Sequence, residues 1–163
     1  MKTKKLVFLA LLTAVSLCVW VIEAQIPAPL PVPGVKLGLA NVVTLTAMSL
    51  LGRREAGVVL LLRVVLGSLF AGSFSAILFS LAGGVLAWAA MALTIALFSE
   101  KQLWVVSVFG ALAHNLGQLL AALAVTKTPG ILWYAPALLA AGVVTGVFTG
   151  LAAQYLCLSL IHI

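Results

Sequence analysis

The chain alternates long apolar runs with short breaks that carry nearly all of its charge and proline. The first run, Leu6 to Ile22, follows Lys2, Lys4 and Lys5, and further runs recur to the end of the chain. A bilayer span needs about 20 mostly apolar residues. Runs at this spacing fill 163 residues with about six spans and short connections. A soluble domain carries about a quarter charged residues; here the share is 7%, against 64% hydrophobic. Too few polar side chains remain to cover a water-facing surface, so the natural solvent is lipid. The expected fold class is an all-α integral membrane protein: one bundle of about six transmembrane helices, with no separate soluble domain.

The breaks set the element boundaries. Pro27, Pro29, Pro31 and Pro33 cannot continue a helix, so Gln25 to Gly34 is an extended loop. A second helix is expected from near Val35 to Leu51, and Gly52-Arg53-Arg54-Glu55 is a basic turn. The third should run from about Ala56 to Ala71, with Gly72-Ser73 breaking it. The fourth should run from Phe74 to Phe98, the fifth from Leu103 to Val125 and the sixth from Ile131 to Leu156. Helices 2 and 3 are short by this count. The first run has the form of a signal peptide or of a first helix. Ile22-Glu23-Ala24 lacks a small residue at the −3 position and more spans follow, so an uncleaved helix is expected. Residues 158–163, Leu158 to Ile163, match the translated end of a sequencing adapter. The natural domain is therefore expected to be 1–157, with His162 outside it.

Charge placement gives an orientation. With the N-terminus inside, Lys2, Lys4, Lys5, Arg53, Arg54 and Lys101 are cytoplasmic, while Lys36 and Lys127 lie outside. That bias predicts a cytoplasmic N-terminus and C-terminus. Trp133 and Tyr134 fall where interfacial aromatics belong. The net charge of +6 comes from residues at run ends, never clustered with aromatics, which argues against a nucleic-acid partner. Cys18 and Cys157 lie in apolar runs without ligand spacing, and read as buried thiols rather than a disulfide or metal site.

Candidate site residues are the polar ones inside apolar runs. Lys36 and the start of the second helix could meet an anionic group, since a helix N-terminus presents free N–H groups; the plainer role is snorkelling to headgroups. Asn41, deeper in that helix, either staples helices or contacts a ligand. Arg63 stands mid-helix, where an arginine is costly and functional by default, or else reaches back to cytoplasmic headgroups. His114 and Gln118 share a face at four-residue spacing, beside Asn115, with Gly110 and Ala122 on the same face. A hydrogen-bonded helix staple is the bland alternative. Glu23 could pair with Lys36 or face water. Ala10 and Ala14 on the first helix, and Gly142, Gly146 and Gly150 on the sixth, form small-residue stripes for packing or docking. The chain has no aspartate, no Walker motif and no carboxylate cluster for magnesium. No catalytic residue, metal or cofactor is therefore expected.

The run Val32-Pro33-Gly34-Val35-Lys36-Leu37-Gly38-Leu39-Ala40-Asn41 resembles the signature of the Gx transporter family, also labelled heptaprenyl diphosphate synthase component I. The proline-rich first loop, the Leu51-Gly52-Arg53-Arg54 turn and Gly72 to Phe74 extend the match over nearly the whole chain. The resemblance implies kinship with the S components of energy-coupling factor transporters, six-helix proteins of bacterial cytoplasmic membranes. These bind a small solute at their outer side and dock on a transmembrane coupling subunit that works with an ATPase. Their docking motif is Ala-xxx-Ala on the first helix, which Ala10 and Ala14 match. It also implies an alternative: an accessory membrane subunit of isoprenoid or quinone metabolism, or of flavin-based electron transfer. Prenyl-diphosphate synthases use aspartate-rich motifs, so without aspartate this chain is expected at most to assist that reaction.

Overall fold

The computed structural model describes the backbone of residues 2–26, 38–72 and 74–161. Six α-helices make up the described chain: α1 (Lys2–Gln25), α2 (Asn41–Leu51), α3 (Arg53–Ala71), α4 (Phe74–Thr94), α5 (Leu103–Thr126) and α6 (Ala135–Ile161). Short 3-10 turns at Glu100–Gln102 and Pro129–Tyr134 lead into α5 and α6. No strand occurs among the described residues. Four segments are long and apolar enough to cross a membrane: Thr3–Gln25, Ile77–Thr94, Glu100–Thr126 and Pro129–Leu160. Large side chains such as Leu69, Phe70, Leu93, Val144 and Phe148 point outward, as lipid permits and water does not. The chain is a multi-pass membrane protein.

The two remaining helices depart from the expected pattern. α2 has 11 residues and starts at Asn41, not near Val35. At 1.5 Å per residue it is about 16 Å long, roughly half the hydrocarbon thickness. Before it, Gly38 to Ala40 form a tight turn, with the Asn41 N–H donating to Gly38 O and the Val42 N–H to Leu39 O. Gly38 has φ +77, a conformation glycine adopts without a Cβ penalty. Lys36 lies outside the described residues. α3 has 19 residues and starts at Arg53, so the expected four-residue turn shrinks to Gly52 alone. Gly52, at φ 108, turns the chain between the two helices. α4 stops at Thr94, four residues early, with the Thr94 hydroxyl donating to Ala90 O. Regular helix in α6 starts at Ala135 rather than Ile131 because 3-10 geometry fills the turn before it.

α5 is the central helix, with α4 on one side and α6 on the other. Glycines set both approaches. A Cβ at Gly117 would lie 2.5 Å from Ala82 O of α4. On α6, Gly142, Gly146 and Gly150 face α5: a Cβ at Gly146 would lie 2.7 Å from Val108 Cα, and one at Gly150 2.5 Å from Trp104 Cα. These backbones touch, which small residues allow and larger ones forbid. Ser107 and Thr149 share a 3.0 Å hydrogen bond across the same seam, and Asn115 Nδ2 donates to Leu138 O at 2.7 Å. α1 packs on α3, where Gly67 leaves room for the Trp20 indole. At the end of the bundle where α1 and α3 begin, Lys5 pairs with Glu55, and Trp88 Nε1 donates to Arg53 O at 2.9 Å. The opposite end holds the site.

Candidate functional site

Five helices each bring a polar residue to one place. α1 contributes Glu23 near its last turn, α2 its first residue Asn41, and α3 Arg63. α4 contributes Ser80 and the Gly83-Gly84 pair, and α5 contributes His114 and Gln118. Asn41, Arg63, His114 and Gln118 are 5%, 3%, 4% and 2% exposed, so Arg63 does not reach headgroups. The anticipated face of α5 is thus turned inward, toward α1 to α4.

These groups enclose a cavity of about 10 Å³, lined by Trp20, Glu23, Gly38, Arg63, Ser80, His114 and Gln118. That volume admits about one water molecule. Anything larger enters only if the surrounding chain moves apart. Glycine shapes the walls. A Cβ at Gly38 would lie 3.0 Å from His114 Cδ2, and one at Gly83 2.9 Å from His114 Nδ1. The imidazole therefore sits in a slot between the turn before α2 and the backbone of α4. Gly84 leaves the same kind of room for Leu60 and the Arg63 guanidinium. A Gly-Gly pair inside a helix costs about 1 kcal/mol per residue relative to alanine. Here it makes space for the cluster.

The hydrogen bonding is incomplete. Arg63 Nε and Nη2 and both amide atoms of Asn41 are buried without a hydrogen-bond partner, and the buried His114 ring makes no well-formed hydrogen bond beyond an interaction with the Gly83 backbone. Buried polar atoms are paired in more than about nine cases in ten, and in a membrane interior water does not repair the loss. So many orphan atoms in one cluster therefore ask for a partner. Arg63 is countered electrostatically by Glu23. Glu23 is 4% exposed and accepts the Gly38 N–H, which ties the end of α1 to the turn before α2. It does not face water. Its position at the end of an apolar run was the visible signal; that it meets Arg63 was not. Trp20, Ser80 and Gly38 also join the site without having been singled out by chemistry.

Other candidates lie elsewhere. Asn115 points to α6, away from the cavity. Gly110 packs on Met91, and Ala122 belongs to an apolar cluster with Phe79, Leu119 and Leu138. Ala10 and Ala14 are exposed on the outer face of α1. Cys18 is exposed on that helix rather than buried, on a face of α1 that no described helix covers; Cys157 is buried, and both are free thiols. Among the described residues no three metal-ligating side chains gather. A larger depression of about 440 Å³ between α4 and α5, at Leu81, Val85 and Leu120, is lined by apolar groups and open to lipid.

A profile of the family described as heptaprenyl diphosphate synthase component I matches residues 12–156. The chain belongs to that family. The matched span includes every described cavity residue, from Trp20 on α1 to Gln118 on α5. The family's name, component I, implies a partner component. No curated protein and no solved structure shows a significant match to the chain.

Proposed function

We propose that this protein is a membrane-embedded solute-binding subunit of the S-component type. The observation that carries the reading is that Arg63, with two unpaired buried donors, and His114 line one cavity, beside which Asn41 sits next to Gly38 with its amide unpaired. A structural staple would pair its own groups, whereas a binding site leaves them for its ligand. With the N-terminus and C-terminus cytoplasmic, as the lysine and arginine bias implies, the cavity opens nearest the outer face. Asn41, Arg63, His114 and Gln118 contact the solute, and Lys36 guides an anionic group toward the site. Ala10 and Ala14, on the bare face of α1, dock on a transmembrane coupling subunit driven by an ATPase.

Among the described residues the cluster has no nucleophile paired with a base and no carboxylate pair for a metal. In this reading the chain's part is binding. Its family supports a second reading, that of an accessory membrane component serving a catalytic prenyl-synthase partner. Affinity purification from the native membrane separates the two. Recovery of an ATPase with its membrane coupling subunit supports the first reading. Recovery of an aspartate-rich synthase subunit, with no transport subunit, supports the second and contradicts the first.

A further inference from the structure

His114 meets glycine backbone on two sides of its ring. A Cβ at Gly38 would lie 3.0 Å from Cδ2 and 3.3 Å from Nε2, and one at Gly83 would lie 2.9 Å from both Cε1 and Nδ1. The Cδ2–Nε2 side therefore faces the turn before α2, and the Cε1–Nδ1 side faces the backbone of α4. The described lining of the cavity includes Gly38 and not Gly83, so Nε2 is the nitrogen on the cavity side. We infer that His114 Nε2 is a bare hydrogen-bond acceptor, and that the solute carries a hydroxyl or N–H group that donates to it, next to an acceptor atom that takes the Arg63 donors. This rests on the solute-binding reading above and narrows it to solutes that set a donor beside an acceptor.

Three observations lead there. First, Gly83 lies inside α4, where its N–H bonds four residues back along the helix. All that its backbone can offer a side chain is the second lone pair of its carbonyl. His114 interacts with that backbone, and a carbonyl only accepts. The proton of a neutral imidazole thus sits on Nδ1, which leaves Nε2 bare. Second, Nε2 is buried without a hydrogen-bond partner. A lone pair left so inside a membrane protein asks for a donor. Third, Arg63 packs on the next glycine of α4: a Cβ at Gly84 would lie 3.4 Å from Nη2, itself a donor without a partner. Both side chains border one cavity of about 10 Å³, room for about one water. A single small polar group, with one atom that accepts and one that donates, reaches both. Gly83 is then a positioning residue. Its carbonyl fixes the tautomer of His114, and its missing Cβ admits the ring.

The test reads the ring directly. The sequence holds two histidines, His114 and His162, so the full chain with His162→Asn carries isotope-labelled histidine at His114 alone. Nitrogen NMR in mild detergent at neutral pH tells a protonated ring nitrogen from a bare one. The expected result is a proton on Nδ1 and none on Nε2. A proton on Nε2, alone or together with Nδ1, overturns the inference and leaves the solute-binding reading standing. A second arm uses as its probe the molecule that co-purifies with the wild type from its own membrane. His114→Gln keeps an amide oxygen where Nε2 stands, whereas His114→Asn is shorter and keeps only the Nδ1 side. H114Q should retain the probe, and H114N should bind it at least about tenfold more weakly, the loss expected when a buried donor is left unpaired. Equal binding, equal loss or the reverse order overturns the inference. If neither variant folds, the wild-type tautomer decides. A wild type that carries no molecule removes the solute-binding reading, and this inference with it.

Discussion

Replacing Gly150 with alanine puts one methyl group into the tightest seam of the bundle. The new Cβ would lie 2.5 Å from Trp104 Cα, 2.6 Å from Ser107 Cβ and 3.0 Å from Trp104 O. Carbon atoms at optimal separation sit about 3.5–4 Å apart, so α6 must move away by roughly 1 Å. Two of the three atoms are backbone, so no rotamer change absorbs the clash. Overpacking of this kind costs about 1–3 kcal/mol, and rigid neighbours push the cost to the upper end. The shift also strains the Ser107–Thr149 hydrogen bond beside it, worth about 0.6 kcal/mol inside a membrane protein. The better helix propensity of alanine offsets about 1 kcal/mol. A net loss of about 2–3 kcal/mol is expected. Reversible unfolding in mixed micelles measures it, with Gly130→Ala as control, where the nearest atom is 3.9 Å away. Wild-type stability for G150A would refute the close approach of α5 and α6.

The site and the opposite end of the bundle make further predictions. Arg63→Met removes a positive charge that acts on buried Glu23 and should destabilise by about 3–5 kcal/mol, while the double variant E23Q/R63M recovers most of the loss; the same unfolding assay reads both. Asn115→Leu removes the bond to Leu138 O and should cost under about 1.5 kcal/mol without affecting ligand binding, which separates the α5–α6 staple from the cavity. The Lys5 side chain hydrogen-bonded to Glu55 holds that carboxyl below its ordinary value of 4.5. A depressed acid stabilises the fold above its unfolded value and loses the contribution as pH falls through its folded value. Stability of the wild type should therefore fall more steeply below about pH 4.5 than that of Glu55→Gln, and equal slopes would refute the pairing.

The membrane class and the position of most helices were legible in the sequence because hydropathy and breaks report directly on lipid burial. Pro27 to Pro33 marked the end of α1, and Gly72 the end of α3. α2 was misplaced because Leu37 to Ala40 are apolar, and hydropathy does not distinguish a turn at Gly38 from helix. α3 was cut short because Arg53 to Glu55 are polar, yet they form its first turn at the edge of the bundle. The polar residues of the site, Arg63, His114, Gln118 and Asn41, stood out against apolar neighbours. Their meeting point did not, because convergence depends on how five helices rotate about their axes. The place of Glu23 beside the cavity was therefore not foreseen, and the Gly83-Gly84 pair was passed over.

Native mass spectrometry of the protein from its own membrane, in mild detergent, tests the central claim most directly. The wild type should carry a small molecule of defined mass, R63M and His114→Ala should lose it, and Asn115→Leu should keep it. Folded wild-type protein that carries no small molecule, or carries the same one after both cavity substitutions, would contradict the account.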